Sequence, residues 1–461
     1  MGRIAIGLTA LGLSLGAQSI VAAEPAASPL REGPWTFTIR SSDLGALRGR
    51  LVATRGENGG LTWASRPKAL EALLAPEKAA LARVFLAVAP DGSLVHLDRT
   101  SLRGDRLEGR FAAAALGEFS LEATTTPEGF RGRLLARDGS PWATIEAAPL
   151  AAGAPTPVPG KALASVAEIT RARYFDPRIL ESDAWKGFLA DLGRASAAAA
   201  DDVETAFAFY ALKQPLRVSH YALLRRDAAD AKAGAPPPPA FGLDEVKPGV
   251  ARLVVRHFAG TAAEVDDAFG KIVAAKPRAL VIDLRGNQGG NLSAMAVAAH
   301  LLEKPASAGT FVGAAWWKTH KAPPTAAEIA AAPPFERFDL DAFRARLAET
   351  GLVATRVPLV APRFDGLVAV LVDGRTASAC EPLVALLAQT KRAQIVGDRT
   401  AGAMLSSDEA DLGDGWVLRV PVADYLTPSG ARLEGRGVDP TIEADPEEAL
   451  ARALEWIATA K

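Results

Sequence analysis

The stretch Leu367 to Ala388, LVAVLVDGRTASACEPLVALLA, decides how the chain is read. Val368, Val370, Leu371 and Val372 form a short apolar run that stops at Asp373-Gly374. Helical spacing of Leu383, Leu386 and Leu387 starts just past Glu381, which places Thr376 to Cys380 on a strand-to-helix elbow. A hydroxyl there projects from the end of a buried strand, beside first-turn N–H groups that can face developing negative charge. Two readings follow: Thr376 or Ser378 caps the helix, or Ser378 is a nucleophile.

A second loop of the same kind lies upstream. Asp283-Leu284-Arg285-Gly286-Asn287-Gln288-Gly289-Gly290-Asn291 leaves an apolar run and opens a helical one. Its three glycines let the backbone approach a ligand and turn N–H groups outward, which suits an oxyanion hole or a phosphate cradle. It is neither a Walker loop nor a dinucleotide fingerprint, because the following residues and the spacing are wrong for both. Around these loops strands and helices alternate: strand 250–258, helix 262–274, strand 279–284, helix 292–302, strand 367–372, helix 379–389. Such alternation predicts an α/β fold, a mostly parallel sheet covered by helices with its site beyond the carboxyl ends of the strands. Residues 305–362, with Trp316-Trp317 and expected helices around Ala326 and Phe343, read as a lid or substrate wall. A strand at 417–422, a turn at 427–430 and a helix at 446–459 close the chain.

Toward the N-terminus the period changes to two. Trp35, Phe37 and Ile39 alternate with Thr36, Thr38 and Arg40, and Asp91-Gly92 and Asp138-Gly139 mark hairpin turns. Residues 24–150 therefore read as a separate all-β domain, a sandwich or small barrel, interrupted by one helix at 68–82. A figure with glycine on the apolar face recurs at Gly49, Gly109 and Gly132, as expected where strands bend to close. The Pro-, Gly- and Ala-rich run AAGAPTPVPG lies within a linker at 151–162. The second domain, 163–461, opens with helices at 166–174, 183–199 and 201–212, for which Ser182 and Asp201 are plausible caps. A strand at 218–224 carries His220, and a proline-rich loop follows at 234–239.

The 461 residues are 49% hydrophobic and 23% charged, ordinary values for a globular protein of two or three domains. Arg3, the apolar run 4–17 and the small residues Val21-Ala22-Ala23 read as a secretory leader cut near Glu24. An exported, periplasmic or secreted product follows, with no integral membrane span expected after the cut. Losing Arg3 takes the formal charge from −1 to −2, too balanced to predict capture of nucleic acid or an anionic membrane. Cys380 is the only cysteine, so no internal disulfide forms, and it reads as a small packing residue. No His/Cys/carboxylate spacing points to a metal, and no cofactor is expected.

Taken in order, DLRGNQGGN, VDGRTASACE, VGDRTAGA and YLTPSGARLEGRGVDPTIE resemble the tail-specific, or C-terminal processing, serine protease family over roughly residues 166–442. That resemblance implies a crotonase-like core, Ser378 as nucleophile, and an oxyanion hole from Gly289 or Gly290 together with Ala379. In the tail-specific branch a lysine is the base, but Ala403 stands at its place, and 221–249 is too short for the family's PDZ domain. A second branch, which includes the tricorn core protease, uses a histidine and a glutamate instead. Ser219-His220-Tyr221 and Leu433-Glu434-Gly435 are similar to those elements. The implied triad is Ser378, His220 as general base and Glu434 as the orienting carboxylate, acting on a peptide or protein substrate. A non-catalytic binding module on the same fold, as in the retinoid-binding branch, is the alternative. His96, His257, His300 and His320 are read as structural, and Trp316-Trp317 as either an apolar subsite or core.

Overall fold

The computed structural model describes residues 30–460 apart from 42–43, 57–59, 87, 152–160 and 227–238. The leader, most of the linker and nearly all of the proline-rich loop lie outside the described residues. Strict alternation in the first domain puts every second side chain inside a ring of eight antiparallel strands: β1 (Gly33–Ser41), β2 (Gly45–Arg55), β3 (Leu61–Ala64), β4 (Val95–Arg103), β5 (Arg106–Ala113), β6 (Gly117–Thr126), β7 (Gly129–Leu135) and β8 (Pro141–Pro149). Because β1 pairs with both β2 and β8, the ring closes as a barrel rather than a sandwich. Trp35, Trp63 and Phe130 fill its interior, with Trp35 edge-on to Trp63 at 5.7 Å. The expected single helix is two, α1 (Ala69–Leu73) and α2 (Pro76–Phe85). Leu74 and Ala75 are extended, as the residue before a proline prefers to be, and Pro76 starts the second helix.

Helices α3 (Lys161–Arg173), α4 (Asp183–Ala198) and α5 (Asp202–Lys213) follow. Trp185, Phe188 and Leu192 form the buried face of α4. Asp201 caps α5 through the Glu204 N–H, whereas the Ser182 hydroxyl donates backward to Ile179 O and caps nothing. The carboxylates at the start of α5 grip the barrel: Asp201 and Asp202 accept the N–H groups of Arg50 and Arg48 on β2.

Beyond them lie β9 (Ala222–Arg225), β10 (Phe241–Lys247), β11 (Val250–Val255), α6 (Ala262–Ala275), β12 (Ala279–Asp283), α7 (Ser293–Ala299), β13 (Ala306–Gly313), α8 (Ala326–Ala331), β14 (Pro334–Phe335), α9 (Leu340–Thr350) and β15 (Leu352–Val357). The chain ends with β16 (Leu367–Val372), α10 (Cys380–Gln389), β17 (Gln394–Gly397), β18 (Ser406–Gly413), β19 (Trp416–Leu426), β20 (Ile442–Glu443) and α11 (Ala449–Thr459). The expected α/β alternation is realised in one sheet, ordered β10-β11-β12-β16-β17-β20 and parallel from β11 onward. Both faces are covered: Leu280, Ile282, Val368 and Val370 pack with residues of α6, α7 and α10, while Val281 and Leu371 pack with α11.

A second sheet departs from the expectation. Strands β9-β19-β13-β15-β14, with β18 on β19, are antiparallel but for the last pair, and they continue the barrel sheet through one pairing, Gly45 with Arg225. The 305–362 segment therefore contributes strands as well as helices. The strand expected at 218–224 begins only at Ala222. His220 precedes it with φ 55°, a left-handed backbone that leaves the ladder.

Candidate active site

Three loops meet at the carboxyl ends of β12, β16 and β17. Asp373, closing β16, accepts Gly286 N–H on both carboxylate oxygens at 3.0 Å, tying the glycine loop to the elbow. The Thr376 hydroxyl, 3.0 Å from Leu284 O, makes a second tie, and Ala377 N–H donates to Asn287 O. Thr376 is thus a strut between loops and does not cap α10. Ser378 takes φ 55°, a strained conformation that lifts its side chain off the helix, and its N–H donates to Ala403 O. The Ala403 carbonyl thereby fixes the backbone of Ser378.

Glu381, in the first turn of α10 and fully buried, accepts from the Thr400 hydroxyl at 2.6 Å and from the amides of Gly402 and Ala403 at 2.8 and 2.9 Å. Burial pushes its carboxyl above the usual range against those three donors. This carboxylate latches the loop after β17 to α10. In the sequence Glu381 marks only the boundary of a helix.

Ser378 Oγ lies 3.2 Å from His220 Nε2. On the other side of the ring, Nδ1 is 2.8 Å from Ser219 Oγ, and that hydroxyl is 2.8 Å from Glu434 Oε2. The Ser219 N–H donates to Oε1 and the Met404 N–H to Oε2. A carboxylate only accepts, so Ser219 must donate to Glu434 and accept from Nδ1–H; this leaves the Nε2 lone pair facing the Ser378 hydroxyl. The three residues inferred from the sequence converge, with one change. Glu434 reaches the imidazole through Ser219, a residue next to the histidine that sequence reasoning passed over. Burial pushes His220 down to about 4 despite the raising field of Glu434, with Arg419 and Lys213 adding to the fall.

Asn287 is buried and shapes the glycine loop, its side chain donating to Val255 O and accepting Gly289 N–H at 2.8 Å. The N–H of Gly289, expected as an oxyanion donor, is thus engaged within the loop. Among the described residues, the amides of Gly290 and Ala379 have no protein acceptor, and both residues line a cleft with Ser378. The rest of that cleft is largely apolar, and part of it comes from the 305–362 segment through Phe311, Leu340 and Phe343. This segment thus forms a wall of the site.

The remaining candidates lie elsewhere. His300 is buried against Phe269, between Pro362 O and Asp266. His320 stacks on Trp316, whose indole N–H donates to Ala322 O, and Trp317 lies under Arg178, so neither tryptophan lines the cleft. His96 bonds to Ser93, and His257 accepts from the amide of Ala259. Burial pushes the Cys380 thiol up, and its Sγ sits 3.5 Å from Asn287 O as a packing group.

Residues 249–444, less than half of the chain, match the model of Peptidase family S41. The match contains Ser378, Gly290 and Glu434 but begins downstream of His220. A chloroplastic C-terminal processing peptidase of Tetradesmus obliquus is 45% identical over 78 residues, 17% of either chain. A carboxy-terminal-processing protease of Bartonella bacilliformis is 28% identical over 188 residues, 41% of this chain and 36% of that protein. Each match spans well under half of the relative. Among solved structures, the photosystem II D1 C-terminal processing protease aligns over 52% of this chain and 59% of its own at 21% identity, with a TM-score of 0.34.

Proposed function

We propose that this chain is an exported serine peptidase that works through an acyl-enzyme at Ser378. The observation that carries the reading is the unbroken line from Ser378 Oγ through His220 and Ser219 to Glu434. Ser378 Oγ attacks the carbonyl carbon as its proton passes to His220 Nε2. Ser219 holds the imidazolium's Nδ1–H and passes the influence of the Glu434 charge to it. The oxyanion faces the amides of Gly290 and Ala379. The C–N bond then breaks, His220 protonates the departing amine, and water, deprotonated by the same imidazole, releases the acyl group. No lysine takes part, since Ala403 occupies the position where the tail-specific branch has one. The leader read in residues 1–23 supports export, and the parallel strands alternating with helices support a crotonase-like core.

Rapid mixing with an activated peptide p-nitrophenyl ester tests this. The expected trace is a burst of about one equivalent per chain followed by slow turnover. Ser378→Ala should show neither phase. A folded wild-type protein without burst or turnover contradicts the proposal.

A further inference from the structure

We infer that Lys213 is a positioning residue for His220: its ammonium closes the loop that presents the imidazole to Ser378 and holds a positive charge in the ring's surroundings. The inference rests on Ser378 and His220 acting as nucleophile and base. Lys213 is the last residue of α5, and its Nζ donates to Tyr221 O at 2.7 Å. Ser219 and His220 lie within the loop so closed, residues 214–220. Two of its residues other than glycine hold left-handed backbone, Arg217 at φ 46° and His220 at φ 55°. Such strained backbone persists only where the surroundings over-determine it. Here the Ser219 N–H donates to Glu434 Oε1 and Tyr221 O accepts from Lys213, so His220 stands between two charge-assisted backbone ties.

Both ends of the Lys213 clasp are fixed. Tyr221 is fully buried, its ring against Trp185 at 5.3 Å and Phe209 at 5.1 Å, and its hydroxyl is 2.7 Å from Thr170 Oγ1. The far end of α5 is held to the barrel through Asp201 and Asp202. A neutral donor would close the loop at less cost, since burial pushes the Lys213 amine down from its ordinary value. The charge has its own effect at the base. Burial is the chief cause of the depressed His220, and among the charged groups that bear on the ring Glu434 favours the imidazolium while Arg419 and Lys213 oppose it. Arg419 pairs with Glu409 at 3.2 Å, whereas Lys213 pairs with no carboxylate among the described residues. Replacing Lys213 therefore changes the charge around the imidazole without stranding an acid.

The rate at which a small fluorophosphonate labels the full-length protein, followed against pH, reads both effects. In wild type it should fall to half its plateau near pH 4. Lys213→Met keeps the stem and loses the ammonium. Its plateau rate should drop at least about 10-fold through misplacement of the imidazole, and its half-point should move toward neutral pH, because a charge that opposed protonation is gone. Lys213→Arg keeps charge and donors and should bring back the wild-type half-point with most of the rate. Lys213→Gln keeps an amide donor without the charge; it should show the moved half-point with a smaller loss of rate, and it reads the charge where Lys213→Met does not fold. A lysine that only supports the fold would lower stability in urea and leave the half-point in place. A half-point unmoved in the folded neutral variants, while Ser378 still labels, overturns the inference. Wild-type protein that does not label overturns the nucleophile, and this inference with it.

Discussion

At the scale of single residues the site depends on a relay. Ser219 stands between His220 Nδ1 and Glu434, at 2.8 Å from each. Ser219→Ala should therefore lower kcat by about 100-fold with little change in KM, as expected when a group that fixes the base's tautomer is lost but substrate contacts are kept. Steady-state kinetics on one peptide substrate reads both constants. The imidazole also sets the pH dependence. It must be neutral to accept the serine proton, and burial lowers its pKa from 6.5 to about 4. The acid limb of kcat/KM should accordingly stay flat as pH falls through 6.5 and reach half its plateau near pH 4, since the protonated, inactive form accumulates only below the depressed value. A limb centred at the ordinary histidine value contradicts this. Ser378, His220 and Glu434, which the structure brings together, each sit in a short sequence motif. Ser219 was not legible there, because its role depends on Glu434, 215 residues away, arriving at its hydroxyl.

At the scale of elements, the elbow and the glycine loop were legible because their signals are local: an apolar run, turn residues, then helical spacing. What the spacing did not reveal is which glycine has its N–H engaged within the loop and lies against Ser378. Gly289 has φ +97°, and a Cβ there would lie 2.6 Å from the Ser378 Cβ. Gly289→Ala should displace the nucleophile and reduce kcat/KM by at least about 100-fold, while far-UV circular dichroism remains near that of wild type. Strand β13 escaped the sequence reading for a physical reason. Burial in β13 runs unbroken from Ala308 to Gly313 instead of alternating, and the strand slips register between Ser307 and Gly309, which blurs its period of two. The break between α1 and α2 was written in Pro76, whose demand for an extended predecessor outweighs the helical spacing on either side.

At the scale of the whole molecule, the barrel and the second domain share one sheet, and that continuity was invisible in the sequence because it rests on a single strand pairing. Gly45 approaches Arg225 so closely that a Cβ would sit 1.6 Å from its carbonyl oxygen. Arg225 ends the strand that begins two residues after His220, and its Nε lies 2.8 Å from Asp202. Asp202 also receives Arg48 N–H from the barrel, and Arg66 meets Glu204 through two bonds of 2.7 and 2.9 Å. Asp202→Ala leaves Arg225 buried beside a lost partner and should destabilise the protein by about 3–5 kcal/mol in urea unfolding. The central claim concerns the nucleophile and its base, and fluorophosphonate labelling mapped by mass spectrometry tests it most directly. One adduct is expected, on the peptide containing Ser378, formed about 100-fold or more slowly in His220→Ala. Labelling elsewhere, none in the folded wild type, or an undiminished rate without His220 would contradict it.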